Sequence, residues 1–238
     1  MAAPYGLNLV AAVPAERYDR RVRPELRVST QASRARSVVL VGNGGRGLWQ
    51  ALVEHARKQP GWWQRAHPLD DFIRRVVEAE FLPMLAGAGA AVVYPFSTSP
   101  VRLDFMELAR AAGLAGPSLL GVLVHPVFGP WIAFRAAFLL AAEADAAGPA
   151  PGFDPCPGCA SRSCIPACPA GAVSHPEGWN VGLCSRFRVA PEGACNVGCH
   201  ARIACVLGPE HRYSAEELAY HQQRTLSTIR DYLGGVSA

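Results

Sequence analysis

The sequence predicts an α/β domain followed by a separate cysteine-rich module, and three observations carry that prediction. Apolar runs of strand length alternate with amphipathic stretches through residues 37–140. All eight cysteines lie between residues 156 and 205. Between the two regions, residues 142–155 are rich in Ala, Gly, Pro and acidic side chains, the composition of a linker. The expected division is therefore 1–150 for the α/β domain, 151–212 for the cysteine module, and 213–238 for a terminal helix packing back on the first domain.

Ser37-Val38-Val39-Leu40-Val41 reads as a buried strand, and Leu48 to Gln59 as an amphipathic helix with Leu48, Leu52 and Ala56 on one face. The glycine-rich segment between them, Gly42 to Gly47, could cradle a phosphate but is read as a tight turn. Pro68 to Met84 is a second helix, Ala90 to Tyr94 a strand, and Asp104 to Ala112 a third helix. Leu119 to His125 and Trp131 to Leu140 read as two strands joined by Pro126-Val127-Phe128-Gly129-Pro130. Ser214-Ala-Glu-Glu217 is a capping box that opens a final helix running to about Leu233.

With 238 residues, 50% apolar and 18% charged, the chain can bury a sizeable core, and intrinsic disorder is excluded. A net charge of +4, dispersed along the chain, argues against a nucleic-acid partner. Lys58 is the only lysine among 23 basic residues. The charge-free stretches 81–101 and 111–134 are long enough to raise a membrane span, but Pro83, Pro95 and Pro100 break the first and Pro117, Pro126 and Pro130 the second. They are expected to be buried strands and turns. No export signal is read at the N-terminus, so the expectation is cytoplasmic, with no membrane partner.

The cysteines run Cys156-x2-Cys159-x4-Cys164-x3-Cys168-Pro169, then Cys184, then Cys195-x3-Cys199-x5-Cys205. A disulfide framework suits secreted domains, and zinc ribbons repeat a C-x2-C knuckle at matched spacing, which this sequence does not. The close Cys164-Ile-Pro-Ala-Cys168-Pro169 is that of a bacterial ferredoxin run, so iron–sulfur ligation is the expectation. The x4 gap departs from the usual x2, and a two-residue bulge can be looped out. In two-cluster ferredoxins the cysteine before proline serves the other cluster. Carried over, this groups Cys156, Cys159 and Cys164 with Cys205, and Cys168 with Cys184, Cys195 and Cys199, as ligands of two [4Fe-4S] clusters. A single cluster with four spare cysteines is the alternative. His175, His200 and His211 rank as substitutes only.

The run from Ala112-Gly113-Leu114 through Gly121-Val-Leu-Val-His125-Pro126-Val-Phe128-Gly129-Pro130 resembles the "AGLG…GK…LLI-x-P-EFG" stretch of epoxyqueuosine reductases and corrinoid reductive dehalogenases. Those families also carry eight cysteines in a four-one-three order. The same segment continued through Trp131-Ile-Ala133-Phe-Arg135 is similar to the "G-V-x-I-H-P-x-F-G-G-W-F-A-I-R" of cblC-type cobalamin processing proteins, and Arg212-Tyr213-Ser214 to Tyr220 is similar to their "RYSEEQKAY". The resemblance spans roughly residues 85–220. It implies a nitroreductase-like fold that binds base-off cobalamin, here joined to a ferredoxin-like two-cluster module. Implied corrin contacts are Ser118, Gly121, His125, Phe128, Gly129 and Trp131, with Tyr94 as a further hydrogen-bond donor. For His125 the competing reading is a histidine capping a strand end, and for Phe128 and Trp131 ordinary core aromatics.

The resemblance further implies an oxidoreductase that takes electrons from a low-potential donor, passes them from the clusters to cobalamin and reductively removes its upper ligand, such as cyanide or an alkyl group. Two alternatives stand beside it. One is an enzyme using reduced cobalamin on an organic substrate, in which case tRNA becomes a partner. The other is a non-enzymatic cobalamin carrier. Epoxyqueuosine reductases carry a general-acid aspartate before a small-x-Pro segment, whereas Tyr94-Pro-Phe-Ser97-Thr98-Ser99-Pro100 has no acid until Asp104. Gly116-Pro117 likewise replaces their GK pair, and both departures favour the cblC side.

Overall fold

The apolar run Ser37–Val41 opens a strand that is buried along nearly its whole length, as a strand covered on both faces should be. The computed structural model describes residues 4–97, 100–144, 152–191 and 193–236. The chain divides into one unit made of Met1–Ala115 and Ile132–Gly152, and a second made of Gly116–Trp131 and Phe153–Ala238.

The first unit holds a four-stranded sheet of β1 (Leu9–Pro14), β2 (Ser37–Gly44), β3 (Ala91–Val93) and β4 (Ile132–Leu140) in the order β1-β2-β4-β3, antiparallel throughout. The expected strands at 37–41, 90–94 and 131–140 are all present. β1 was missed, although Leu9, Ala11 and Val13 alternate with more exposed neighbours in the period-two pattern of a half-buried strand. The helices are α1 (Ala15–Asp19), α2 (Val28–Gln31), α3 (Gly47–Lys58), α4 (Pro68–Val76) and α5 (Phe105–Ala111). α3 buries Leu48, Leu52 and Ala56, as its periodicity required. Asp104 caps α5, its carboxylate accepting the Glu107 N–H at 2.9 Å.

The helix expected over Pro68–Met84 is less regular than its pattern. The last turns, Val77–Phe81, widen into a π-helical arrangement in which the Leu82 N–H reaches back to Val77 O at 3.0 Å. Pro83, which has no N–H, then ends the run, and a short 3-10 segment follows. The Gly42–Gly47 segment carries glycines at the spacing of a dinucleotide-binding loop, but Gly42–Gly44 belong to β2 and only Gly45-Arg46 turn before α3; β2 is antiparallel to both neighbours, so no βαβ unit exists to present it. Asn8 also occupies its backbone, giving its amide N–H to Gly44 O at 3.0 Å and accepting the Gly44 N–H at 2.7 Å. The tight turn expected over the whole segment is thus confined to Gly45-Arg46, and the strand runs three residues further than expected.

The second unit contains a small hairpin, β5 (Val173–Ser174) with β6 (Gly178–Trp179), and helices α6 (Val181–Val189), α7 (His200–Ile203), α8 (Ala215–Arg224) and α9 (Leu226–Val236). The expected strand Leu119–His125 does not form. The segment Gly116–Trp131 is instead a loop closed by two single pairs, Gly116 with Val124 and His125 with Gly129. Pro117, Pro126 and Pro130 cannot donate to a ladder, and the Ser118 hydroxyl bends the chain by donating to Val122 O at 2.6 Å while accepting the Leu120 N–H at 3.1 Å. The final helix begins at its Ser214 cap as expected, but breaks at Thr225. There Arg188 of α6 donates to Gln222 O at 2.7 Å and to Thr225 Oγ1 at 2.8 Å. The division thus differs from the sequence-based one in two places: the 116–131 loop and the terminal helices both group with the cysteines, and α6 packs on α9. Most of the expected linker, residues 145–151, lies outside the described residues. Among the described residues no helix is long and apolar enough to cross a membrane.

A buried carboxylate organises the start of the first unit. Asp19 accepts the Val28 N–H at 2.7 Å and the Ser29 N–H at 3.1 Å, satisfying two donors at the start of α2, while the neighbouring Tyr18 hydroxyl accepts the Asp104 N–H at 2.8 Å. Replacing Asp19 by Ala strands these donors, so Asp19→Ala is expected to cost about 1–3 kcal/mol. The check is the denaturation midpoint of the variant against the parent chain.

Candidate functional site

The cysteine segments are held by turns rather than by long elements. The Cys159 N–H bonds Cys156 O at 3.2 Å, the Ile165 N–H bonds Arg162 O at 2.9 Å, and the Cys168 N–H bonds Ile165 O at 3.2 Å. The four residues between Cys159 and Cys164 include Arg162 at a left-handed φ of 43° and Ser163, whose hydroxyl donates to Ala204 O at 2.5 Å. The extra length that departs from the ferredoxin spacing therefore ties this segment to the residue before Cys205. Asn180 caps α6 by accepting the Leu183 N–H at 2.9 Å, which sets the helix that carries Cys184.

All eight cysteines are free thiols, and they line two cavities, four to each. Cys156, Cys159, Cys164 and Cys205 line a cavity of about 150 Å³; Cys168, Cys184, Cys195 and Cys199 line another of about 190 Å³. This is the grouping that the cysteine-before-proline argument gave. Among the described residues no three His, Cys, Asp or Glu side chains are close enough to grip a single metal ion. Electrostatics follows the same partition. Burial pushes the Cys164 thiol up, and Cys205, Cys156 and Cys159 push it further. Burial likewise raises Cys205, with Cys156 and Cys159 adding to it and the Leu207 N–H and Arg212 opposing. Burial raises Cys195 and Cys199, and the thiols that add to it belong to their own quartet. The Arg202 N–H and guanidinium act the other way on Cys199.

Leucine and valine side chains close the cavities. Leu119, Leu120 and Val124 from the 116–131 loop line the first with Val206 and Leu207, and Leu120 and Val122 line the second. Leu120 thus faces both. Arg188 and Arg202 also line the second cavity. Arg202 donates to Pro130 O through Nε at 3.1 Å, and its guanidinium lies over the Trp131 and Tyr213 rings at 4.8 and 4.9 Å, joining α7 to the end of the loop. The sequence reading did not single out these wall residues. For Arg188 a signal was present: it stands four residues after Cys184 on α6, so both share a face.

Six of the seven residues expected to contact a corrin lie on this loop, and most of them visibly build it. Gly121 has φ 72°, and a Cβ there would stand 2.2 Å from the Trp179 ring; Gly129 has φ 55°, and a Cβ there would stand 2.1 Å from Leu207 O. Ser118 holds the bend already described. His125 accepts the Val127 N–H at 3.0 Å and the Phe128 N–H at 3.2 Å on Nδ1, which puts the proton on Nε2 and makes the ring a turn cap. Its ring packs on Phe128, which packs edge-on against His211 at 4.7 Å. Trp131 is fully buried, with no partner for Nε1 among the described residues. Tyr94 belongs to the first unit, where it stacks on Phe96 at 5.1 Å beneath the Arg74 guanidinium. Its buried hydroxyl has no partner among the described residues, and burial pushes the phenol up to about 12.

Two predictions follow from the loop. Burial, then the nearby His211, holds His125 below its ordinary histidine pKa, so the unfolded chain binds the proton first. Stability therefore rises with pH through the region just below about 6.5 and is lost on acidification, because a proton on Nδ1 removes the acceptor of two backbone N–H groups. His125→Gln is expected to flatten that part of the stability–pH curve, read from denaturation midpoints between about pH 5 and pH 7.5. Gly121→Ala meets both the left-handed backbone and the Trp179 ring, and is expected to cost about 2–4 kcal/mol from the two effects together, checked by denaturation and by the tryptophan near-UV signal.

No family model matches the chain, and no curated protein does. Among solved structures, the chain is similar to the B12-trafficking protein CblC of C. elegans, with TM-score 0.60, 12% identity, and coverage of 90% of this chain and 85% of that one. It is also similar to epoxyqueuosine reductase from Bacillus subtilis, with TM-score 0.50, 14% identity, and coverage of 90% and 65%. An epoxyqueuosine reductase bound to an epoxyqueuosine-modified tRNA-Tyr stem loop gives TM-score 0.51, 14% identity, and coverage of 89% and 64%. The chain spans slightly less than two thirds of those reductases. At these identities the similarity is one of fold, and the chain has the mixed α/β fold of these proteins.

Proposed function

We propose that this chain is a cobalamin-binding iron–sulfur reductase that passes electrons from two [4Fe-4S] clusters to base-off cobalamin and reductively removes its upper ligand. The observation that carries the reading is the sorting of eight free cysteines into two quartets, one per cavity. Four thiols that line a space fit a polynuclear group, whose corners take one thiolate each over a few ångströms. Thiols whose pKa burial raises, such as Cys164 and Cys195, ionise more readily against compensating positive charge, and cluster iron would provide it. The fold shared with CblC supports the cobalamin part, and the greater coverage of that chain supports a processing role over action on an organic substrate or tRNA.

When bound, the clusters supply single low-potential electrons and the corrinoid supplies the cobalt that accepts them. The chain's own groups have separate tasks. Cys156, Cys159, Cys164 and Cys205 would hold one cluster, and Cys168, Cys184, Cys195 and Cys199 the other. Leu119, Leu120 and Val124 keep water from the first quartet. His125 keeps its Nε2–H as a donor because Nδ1 is committed to the turn. Ligation of a metal through Nε2 would need the opposite tautomer, so His125 is assigned a hydrogen-bonding role rather than one on cobalt.

Anaerobic reconstitution tests the reading. The expected result is about eight irons and eight sulfides per chain, falling to about four of each in Cys164→Ser and in Cys195→Ser, with the loss in either variant confined to one cluster by EPR. Addition of cyanocobalamin and a low-potential reductant is expected to release cyanide and bleach the corrin spectrum. Zinc or no metal in the reconstituted chain, or a corrin spectrum that does not change, overturns it.

A further inference from the structure

We propose that Arg188 is a positioning residue for the second cysteine quartet: its guanidinium supplies the positive charge and the Nε–H donor that favour the reduced, more negative state of the cluster held there. The inference rests on the iron–sulfur reading above. It begins from an unmet bond. Arg188 Nε is buried and has no hydrogen-bond partner among the described residues, although Nη2 of the same side chain is fully engaged with Gln222 O and Thr225 Oγ1. A buried guanidinium N–H without an acceptor is costly, and native structures rarely leave one.

The acceptor it faces can be named from its position. Arg188 lines the cavity of Cys168, Cys184, Cys195 and Cys199, follows Cys184 by one turn of α6, and lies within electrostatic reach of Cys184, Cys195 and Cys199. Thiolate and sulfide sulfurs are acceptors for such a donor. The bonds to Gln222 of α8 and to Thr225 just after it fix the far end of the guanidinium, while Nε stays buried on the cavity side of the side chain's stem. In the first quartet the arginine of the cavity wall, Arg162, is half-buried and leaves no buried donor unmatched among the described residues, while Arg212, which acts on Cys205 and whose Nε is likewise buried without a partner among the described residues, does not line that cavity. Reduction adds one electron to a cluster from an external low-potential reductant and makes or breaks no bond, so a fixed cation beside it shifts the equilibrium by stabilising the added negative charge.

The test is an EPR-monitored redox titration of the reconstituted full chain with dithionite. Arg188→Gln is expected to lower one of two midpoints by about tenfold in the reduction equilibrium, ~59 mV for one electron, and to leave the other in place. Arg188→Lys, which keeps the charge without the fork, is expected to lower it less. Thr225→Ala removes one of the two anchoring bonds but leaves the guanidinium and its bond to Gln222 O, and is expected to lower the same midpoint less than Arg188→Gln does. An iron-loaded Arg188→Gln chain with unmoved midpoints overturns the inference alone, as does an equal shift in Thr225→Ala. Should Arg188→Gln load no iron, Arg188→Lys is read in its place, a lowered midpoint supporting the role and an unmoved one overturning it. Absence of iron from the parent chain overturns the iron–sulfur reading and this inference together.

Discussion

Four thiols confined to a desolvated space repel one another as soon as they ionise, and most features of the second unit can be traced to that constraint. Cys164, Cys195, Cys199 and Cys205 all have their pKa raised by burial first and by partner thiols next. Left to themselves the quartets would stay protonated or spread apart. What keeps them together is a set of short-range backbone devices: the turns through Cys156–Cys168, the Ser163 bond to Ala204, and the Asn180 cap of α6. None of these is a long regular element. A site made this way is fixed by many local hydrogen bonds, each worth about 1 kcal/mol, and by whatever positive charge enters the cavity.

The loop Gly116–Trp131 is the second part of that arrangement. It contributes no cysteine, yet Leu119, Leu120, Val122 and Val124 supply apolar wall to the two cavities. Its glycines allow the close approach: Gly121 lies against Trp179, five residues before Cys184, and Gly129 against Leu207, two residues after Cys205. Its end is fixed by Arg202, which bonds Pro130 O and covers Trp131. The segment that carries the resemblance to cobalamin proteins is therefore also a packing element of the cysteine unit. Side chains such as His125 and Trp131 have evident structural work there in addition to any role toward a ligand.

The arginines around the second quartet join folding to the proposed chemistry. Arg188 secures the break between α8 and α9, and Arg202 secures α7 to the loop, each through backbone carbonyl acceptors. The same two guanidinium groups line the cavity of Cys168, Cys184, Cys195 and Cys199. Among the described residues neither cation pairs with a carboxylate, so its charge is held by neutral acceptors. Lysine would carry the charge but not the forked donor geometry that allows anchoring and an inward-facing N–H together.

The sequence by itself determined the main strands and helices of the first unit from residue 37 onward and confined the cysteines to one segment. β2 and β4 were legible as apolar runs of strand length, and α3 because burial on one face imposes a period, written in Leu48, Leu52 and Ala56. The grouping into quartets was expected by carrying over the two-cluster ferredoxin pattern, in which the cysteine before proline serves the other cluster, and the cysteines line two cavities in the same groups. Only the tertiary structure decided that Leu119–His125 is a loop. An apolar run looks the same whether it is buried as a strand or as the wall of a cavity, and the partners that distinguish the two lie at Trp179 and Leu207, more than fifty residues away. It also decided the break at Thr225, where Arg188 bonds across from α6, and the grouping of the terminal helices with the cysteines, where α9 packs on α6. Local patterns record what each segment prefers; contacts between distant segments settle which preference is satisfied.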